Sequence, residues 1–214
     1  GKTDEELKYA IESKVSCINI ESENELIRLN EISKQKKIST DIALRINPDV
    51  DAKTHIKITT GKSENKFGIP ISSVLDVYDM ASNLNSIKIV GIDIHIGSQI
   101  SDLAPFEIAF NKIAVLLKIL REKGYLIERV DIGGGLGISY SSSKEDPISI
   151  DEFASKLISI FKDLHVEIQI EPGRYISGNS GLLITSVVYL KESTAHNILI
   201  IDAGMNDHIR TPLY

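Results

Sequence analysis

Short apolar runs alternate with amphipathic segments along most of the chain. The runs that have the length of buried strands span 15–20, 42–47, 87–94, 126–130 and 166–170. Strands that alternate with helices predict right-handed βαβ units and a parallel sheet, whose strands are apolar because both faces are covered. About five such units fit before residue 175. A complete eight-stranded barrel takes about 250 residues, so a barrel requires strands beyond this sequence.

Helix starts are visible as capping signals. Side chains with capping-box spacing occur at Thr3–Glu6, Ser22–Glu25 and Ser149–Glu152, and each predicts that a helix begins there. The most regular helical periodicity covers 105–122. The polar stretch 49–70 is predicted to be a long loop, and long loops in compact domains are often functional.

The alternation stops after Arg174. Two β runs, over 182–190 and 197–202, are joined by a short polar turn and predict the beginning of an antiparallel domain. The sequence then ends at Tyr214 within an element, and we expect it to be an internal piece of a longer protein.

Composition narrows the class of protein. The 214 residues are 42% hydrophobic and 25% charged, which is ordinary for a globular protein with a sizeable core. A formal net charge of −6 gives no support for binding to nucleic acid or to a membrane surface. No apolar run approaches the roughly 20 residues that cross a bilayer. The single cysteine, Cys17, lies on a predicted strand, excludes an internal disulfide and favours a reducing cytoplasm.

Three polar clusters directly follow predicted strands. They are His95–Gln99, Gly133–Gly135 and Glu171–Arg174. One such cluster alone is more often a polar turn or a structural residue. However, functional groups of parallel α/β folds gather at the carboxyl ends of strands. Three clusters at equivalent places in successive units therefore predict a shared site.

The residue types in these clusters suit a phosphorylated aromatic cofactor. The N–H groups of 133–135, the Ser98 hydroxyl and the backbone around Gly173 are donors for a phosphate. Glu171 offers a carboxylate that keeps a heteroaromatic nitrogen protonated, and His95 offers a flat ring for stacking or a proton relay. Pyridoxal 5'-phosphate (PLP) is a cofactor with these requirements.

Other phosphate motifs fit less well. The glycines run G-G-G-x-G, whereas the dinucleotide fingerprint is G-x-G-x-x-G, and position 138 is Ile. No Gly-Lys-Ser or Gly-Lys-Thr of a P-loop follows either. We predict no metal site.

With these residues in view, the whole chain resembles the diaminopimelate decarboxylases, a family of fold type III PLP enzymes with an alanine-racemase-like barrel. The motifs that carry the resemblance occur in matching order at 1–6 (GKTDEE), 45–48 (RINP), 65–69 (NKFGI), 91–99 (GIDIHIGSQ), 131–137 (DIGGGLG), 171–174 (EPGR) and 202–210 (DAGMNDHIR). The resemblance implies a partial (β/α)8 TIM-type barrel, with about five of eight strands, over 1–177. It implies the start of an incomplete antiparallel C-terminal β domain over 178–214.

The resemblance also implies roles for individual residues. His95 is expected to stack on the cofactor ring, Ser98 to help bind its phosphate, and Glu171 to face the pyridine nitrogen. The implied cofactor-binding residues are His95, Ser98, Gly134, Gly135, Glu171, Pro172, Gly173 and Arg174. The implied substrate-binding residues are Arg174, Arg210 and Tyr214, and an arginine pairs well with a carboxylate. The family usually has Pro directly after the second arginine, whereas here Thr211 precedes Pro212.

The implied reaction is PLP-dependent decarboxylation of meso-diaminopimelate to L-lysine and CO₂, the last step of lysine biosynthesis, in a cytoplasmic homodimer. The family's Schiff-base lysine would precede Gly1, and a Cys-Glu segment shared across the dimer would follow Tyr214. We therefore expect the isolated piece to be inactive. Three alternatives stay open. They are an ornithine- or arginine-type decarboxylase, against which Asn206–Arg210 argues, a PLP racemase of the same barrel class, and a catalytically silent regulatory homologue.

Overall fold

The computed structural model describes residues 1–51, 67–140, 147–194 and 196–209. The chain divides into two compact units, Gly1–Ile176 and Ser177–Tyr214. The first unit contains a parallel sheet with its helices, and the second contains an antiparallel strand pair. The assignment of 1–177 and 178–214 to a barrel and to a separate β domain stays a prediction.

The described residues form the following elements. The helices are α1 (Asp4–Glu12), α2 (Glu23–Lys36), α3 (Val74–Ser82), α4 (Leu103–Glu122), α5 (Ile150–Phe161) and α6 (Gly173–Ser177), with a 3₁₀ turn at Ile71–Ser73. The strands are β1 (Ile18–Ile20), β2 (Thr40–Asn47), β3 (Ile69–Pro70), β4 (Ile87–Ile94), β5 (Arg129–Asp131), β6 (Glu167–Gln169), β7 (Val187–Lys191) and β8 (Ile198–Ile201). Of the helices in these ranges, none is both long and apolar enough to span a bilayer.

The strands of the first unit pair in parallel. Their order is β1–β2–β4–β5–β6, and β3 pairs with the end of β2. The four connections along this path contain α2, α3, α4 and α5 in turn. Five successive strands joined by helices are part of a (β/α)8 barrel. The predicted fold class is confirmed.

The differences from the sequence prediction include two short elements, one cap and the starts of β1, β5 and β7, which lie three to five residues after the starts of the predicted runs. The predicted loop 49–70 ends in β3, whose two residues pair with Ile46 and Asn47. The five-residue helix α6 follows Pro172 in a stretch predicted only as a turn. Both elements are too short to show a periodicity, so only their neighbours define them. Helix α5 begins as predicted, but Ser149 forms no side-chain capping hydrogen bond.

The main apolar core lies between the strands and the helices. Alternate strand residues such as Leu44, Ile46, Ile92 and Ile94 are almost fully buried and belong to one cluster with the apolar faces of the helices. Period-two alternation brings these side chains to the same face of the sheet. The strands are thereby held against α2 to α5 on the outside of the partial barrel.

The opposite face of the strands is polar near their carboxyl ends. Strand register places Arg45, Asp93, Asp131 and Gln169 side by side on four neighbouring strands, and we refer to these residues as the polar row. Barrels of this type usually fill their interior with bulky branched side chains. The prediction that both faces of the strands are apolar is therefore wrong near the carboxyl ends of the strands.

The second unit is an antiparallel pair, as predicted. In the register of β7 and β8, Leu190 faces Leu199 and Lys191 faces Ile198. At the other end, the N–H of Ser186 donates to Asp202 Oδ1 at 2.8 Å, and the N–H of Asp202 donates to the Ser186 carbonyl at 3.1 Å. These bonds extend the pairing by one step beyond the strands.

Tyr78→Phe tests a buried hydrogen bond between α3 and β4. Tyr78 is fully buried, and its hydroxyl donates to the Gly91 carbonyl at 3.0 Å. We expect the substitution to lower the free energy of unfolding by about 1 to 2 kcal/mol, because the carbonyl loses this donor inside the core. The measurement is urea denaturation followed by circular dichroism.

The matched control is Tyr125→Phe, which removes a hydroxyl contact with Asp79 near the surface. We expect this control to change the free energy of unfolding by less than about 0.5 kcal/mol. Equal effects of the two substitutions would contradict a stabilising role for the Tyr78 hydroxyl.

Candidate cofactor site

The polar row borders a cavity that extends from α1 and the start of β1 to the carboxyl ends of the strands. The cavity has a volume of about 640 Å³, and its lining also includes Glu21 after β1, His95 after β4 and Glu171 after β6. Small-molecule sites typically have volumes of about 300 to 1,000 Å³. The cavity thus has a suitable size, and it lies where the strand ends predict a site.

Hydrogen bonds join the three predicted clusters. The N–H of Gly134 donates to His95 Nδ1 at 3.3 Å. The N–H of Glu171 donates to the Gly133 carbonyl at 2.8 Å. The glycine stretch therefore lies between the other two clusters, as the strand order β4–β5–β6 requires.

The loop after β4 and the glycine stretch are also paired further from the sheet. The N–H of Ile100 donates to the Gly135 carbonyl at 2.9 Å, and the N–H of Gly137 donates to the Ile100 carbonyl at 3.0 Å. The Gln99 amide donates to the Ile138 carbonyl at 2.6 Å and accepts the Ile138 N–H at 3.3 Å. These hydrogen bonds join the two segments into one continuous wall.

Close backbone packing explains why three consecutive residues of this wall are glycines. A Cβ on Gly133, Gly134 or Gly135 would overlap the carbonyl oxygen of Ile94, Glu171 or Gly97, respectively. Gly133 and Gly135 also have φ angles of +69° and +105°, which side chains disfavour. The sequence argument explained the glycines by exposed N–H groups, whereas the structure adds this steric requirement.

Two of the three glycine N–H groups bond to protein atoms. The N–H of Gly133 donates to Asp131 Oδ1 at 2.9 Å, and that of Gly134 donates to the His95 ring. Within the described ranges, the N–H of Gly135 has no hydrogen-bond partner and is the member of the triplet best placed to bind an anion. The phosphate contacts expected of Gly134 and Gly135 stay predictions.

Arg174 is held by two hydroxyl groups. Its Nε donates to Ser98 Oγ at 3.2 Å, and one terminal nitrogen donates to the Tyr140 hydroxyl at 2.6 Å. The guanidinium also lies 6.0 Å from the centre of the Tyr140 ring. The predicted Ser98 and Arg174 are therefore neighbours, and Tyr140 joins them although the sequence argument missed it. The only feature of the sequence that could have indicated Tyr140 was its position three residues after Gly137.

Pro172 and Gly173 lie at the start of α6. The N–H of Ile176 donates to the Pro172 carbonyl at 3.1 Å, and the N–H of Gly173 donates to the Glu171 carbonyl at 2.8 Å. These bonds turn the chain sharply after Glu171 and bring Arg174 back towards Ser98. The roles expected of Pro172 and Gly173 in cofactor binding stay predictions.

Three of the carboxyl groups that line the cavity, those of Asp93, Asp131 and Glu171, have pKa values raised mainly by burial. Burial, followed by the charge of Asp131, raises the pKa of Asp93 to about 8. Loss of solvent and then the same Asp131 charge raise the pKa of Glu171. Arg45, whose Nε lies 4.0 Å from Asp93 Oδ2 and whose terminal nitrogen lies 2.6 Å from Glu21 Oε1, opposes both shifts.

The sequence argument did not identify Asp93, Asp131 or Arg45 as members of the site. Each interrupts an apolar strand within its last three residues. That interruption was the available signal, because a charged side chain is rarely buried without a partner or a role. Parallel register then places the three side by side.

His95 is a neutral imidazole in this site. Burial, and then the nearby Arg45, lower its pKa. Its Nδ1 accepts the Gly134 N–H, so the neutral ring carries its proton on Nε2. A neutral ring is compatible with stacking and with proton transfer, and both expectations for His95 stay predictions.

Two substrate-binding residues named from the sequence, Arg210 and Tyr214, lie outside the described residues. The same holds for Asn65 and Lys66, the first half of the predicted loop motif. Their expected roles stay predictions.

The described groups fit PLP. Arg174, Ser98 and the Gly135 N–H are donors suited to a phosphate. Glu171 supplies a carboxyl group beside the cavity, and His95 supplies a ring. The glycines keep Cβ atoms out of the wall between them. A partial α/β barrel with these groups at its strand ends defines the class of barrel enzymes that use a phosphorylated aromatic cofactor.

Comparisons with known proteins identify the family within this class. The sequence pattern of the family described as "Pyridoxal-dependent decarboxylase, pyridoxal binding domain" matches residues 1–178. The diaminopimelate decarboxylases of Haemophilus influenzae and Vibrio cholerae are 44% and 45% identical to this chain, with 100% of this chain and 51% of each relative covered. The crystal structure of diaminopimelate decarboxylase from Helicobacter pylori complexed with L-lysine has a TM-score of 0.94 and 38% identity. That alignment covers 100% of this chain and 53% of the other.

The chain therefore belongs to the pyridoxal-dependent decarboxylase family. The resemblance inferred from the sequence motifs is confirmed, and so is the pyridoxal cofactor. The chain spans about half the length of the curated relatives it matches.

Gly134→Ala tests the steric requirement for glycine at positions 133–135, which we refer to as the glycine wall. We expect it to lower the free energy of unfolding by about 1 to 3 kcal/mol, because the new methyl group overlaps the Glu171 carbonyl. The matched control is Gly181→Ala, where an added Cβ has no neighbour within 4 Å. That substitution should change the free energy of unfolding by less than about 1 kcal/mol. Urea denaturation compares the two, and equal stability of both variants would exclude the proposed overlap.

Asp93→Asn tests the buried carboxyl group. The pKa of Asp93 is about 8 in the folded protein, against about 3.9 for an unperturbed aspartate. The folded state thus binds the extra proton, and the stability from Asp93 is lost as the pH rises from about 4 through about 8. We expect the free energy of unfolding of Asp93→Asn to decline less than that of the wild type over this range, measured by urea denaturation at several pH values.

The control for this pH series is Asp163→Asn, which replaces an exposed carboxylate after α5. It should follow the wild-type pH dependence. An Asp93→Asn variant that also follows the wild-type curve would contradict the raised pKa.

Proposed function

We propose that this chain is part of an enzyme that uses PLP to decarboxylate meso-diaminopimelate to L-lysine and CO₂. The observation that carries the proposal is the link from Glu171 through Gly133 and Gly134 to His95 beside one cavity. Relatives named diaminopimelate decarboxylase at 44% and 45% identity support the choice of reaction. The activity belongs to a polypeptide of the relatives' full length, because the chain spans about half of it.

In this proposal, the glycine wall and α6 hold the cofactor. The Gly135 N–H, the Ser98 hydroxyl and the Arg174 guanidinium bind its phosphate, since all three are donors and the last two are neighbours that include a positive charge. When bound, PLP supplies a conjugated ring that accepts the electron pair left by the departing CO₂. The Schiff-base lysine of the family is expected in the half that this chain lacks.

Glu171 and His95, which line the same cavity, would hold the cofactor ring. The Glu171 carboxylate stabilises a proton on the ring nitrogen, because a negative charge favours the protonated form of a nearby base. His95 packs its neutral face on the ring and excludes water there, while its Nδ1 stays bonded to Gly134.

The substrate carries two carboxylates, and arginines bind carboxylates with two parallel hydrogen bonds. Besides the phosphate, Arg174 is proposed to contact one substrate carboxylate through guanidinium N–H groups other than those that donate to Ser98 and Tyr140. Arg210 and Tyr214 are proposed to bind the second end of the substrate. The related Helicobacter pylori structure contains L-lysine, which is the part of diaminopimelate that remains after CO₂ leaves.

We also propose a homodimer that shares its active site across the interface, and a cytoplasmic location. The dimer follows from the family resemblance, in which an acidic segment of one subunit completes the site of the other. The location is supported by the single Cys17, whose pKa is raised by burial to about 11. The raised pKa makes this partly buried thiol unreactive, and a single free cysteine is typical of proteins from a reducing compartment. The net charge of −6 gives no support for a nucleic-acid partner.

The proposed reaction is tested with the full-length protein, PLP and a panel of amino acids. We expect release of CO₂ and formation of L-lysine from meso-diaminopimelate, with kcat/KM at least about 30-fold above that for L-ornithine, L-arginine or L-lysine. The reason is that each competitor lacks one carboxylate, and losing a buried charge pair costs about 2 to 5 kcal/mol. Chromatography of products and a CO₂-trapping assay provide the measurement.

A preference for L-ornithine or L-arginine would instead assign the chain to another decarboxylase branch. No turnover of any substrate by a folded, PLP-loaded protein would favour the silent homologue.

A further inference from the structure

A buried carboxylate holds the turn that begins the glycine wall. Asp131 is the last residue of β5, is 8% exposed and accepts the Gly133 N–H through its Oδ1 at 2.9 Å. Gly133 has a φ of +69°, so the bond fixes a left-handed turn two residues after the aspartate. Aspartate side chains commonly stabilise turns by accepting an N–H two residues further on.

Both groups expected to contact the cofactor ring depend on this turn. The Gly133 carbonyl accepts the Glu171 N–H, and the Gly134 N–H donates to His95 Nδ1. These two contacts are made by consecutive residues of the turn, Gly133 and Gly134. A rotation of the turn would therefore displace Glu171 and His95 together.

Asp131 lies nearer to the amino ends of the strands than His95 and Glu171, the two groups that it would align. In the strand register it is the neighbour of Asp93, two residues before His95, and of Gln169, two residues before Glu171. It belongs to the polar row beneath the proposed ring position rather than to the groups beside the ring. A role for Asp131 must therefore act through other residues.

We propose that Asp131 is a positioning residue of the PLP site and that it acts through its hydrogen bond to Gly133. The inference rests on the proposed function, because it takes PLP as the occupant of the cavity. Without this hydrogen bond the Gly133 turn relaxes, and the acid and the imidazole no longer face the ring at the same time.

The competing explanation is that PLP binding depends on the negative charge of Asp131. The experiment must distinguish this effect from that of the hydrogen bond to Gly133. This charge raises the pKa of Glu171, while Arg45 lowers it and Asp93 and His95 border the same cavity. If charge were decisive, any carboxylate at position 131 would suffice. If the hydrogen bond is decisive, an uncharged acceptor of the same length suffices.

Two substitutions separate the charge of Asp131 from its hydrogen bond to Gly133, and a third removes both. Asp131→Asn keeps an acceptor oxygen at the same distance from the backbone and removes the charge. Asp131→Glu keeps the charge and moves the carboxylate one methylene further from Gly133. Asp131→Ala has no acceptor and serves as a second variant without the bond, should the longer side chain prevent folding.

The measurement is the dissociation constant of PLP for the full-length apoprotein, obtained from fluorescence titration. We expect Asp131→Asn to bind within about threefold of the wild type. We expect Asp131→Glu and Asp131→Ala to bind at least about tenfold more weakly, which corresponds to about 1.4 kcal/mol. The visible circular-dichroism band of bound PLP, which reports how the ring is held, should be retained in the Asn variant and altered in the other two. Urea denaturation verifies that each variant is folded.

Several results would overturn the inference. These are wild-type affinity in the Glu and Ala variants, or an Asn variant that is weakened as much as they are. Since PLP binding is measured without substrate, a wild type that binds PLP but does not release CO₂ refutes the proposed reaction and leaves this test intact. A wild type that does not bind PLP refutes both.

Discussion

The close approach of three backbone segments at Gly133, Gly134 and Gly135 is the constraint on which the rest of the site depends. Each glycine lies against the carbonyl oxygen of a neighbouring segment, so that no Cβ fits between them. Because the segments touch, single hydrogen bonds connect the loop after β4, the turn after β5 and the residue that follows β6. A site of this kind is rigid because its wall is made of backbone rather than of long side chains. Such rigidity suits a cofactor that must be held in one orientation while bonds break.

The polar row explains how one sheet supports both a stable fold and a charged site. The outward side chains of the strands are apolar and pack against the helices, so the interior face does not have to supply the core. Arg45, Asp93 and Asp131 occupy that interior face next to one another. Burial of several carboxyl groups together raises their pKa values, and one arginine opposes the effect. Perturbed groups of this kind cluster at functional sites.

Much of this arrangement could be predicted from the sequence. Continuous apolar runs correctly indicated β2 and β4, helical spacing correctly indicated α4, and the polar residues after the strands led to His95, the glycines and Glu171. The prediction missed β3 and α6, because elements of two and five residues have no periodicity of their own. It also missed the start of β5, where the apolar run begins at Leu126 but pairing begins at Arg129. Leu126 is 80% exposed, so hydrophobicity alone misplaced the strand end.

The sequence by itself determined the parallel α/β architecture, the family and the residue types available at each strand end, since these depend on local periodicity and on motifs in fixed order. Only the tertiary structure decided which of these groups touch. Strand register made neighbours of Asp93 and Asp131, which are 38 positions apart along the chain. The folding back of α6 brought Arg174 to Ser98 and Tyr140. Contacts of this kind depend on packing between distant segments, and no local pattern records the distance between two strands that have not yet paired.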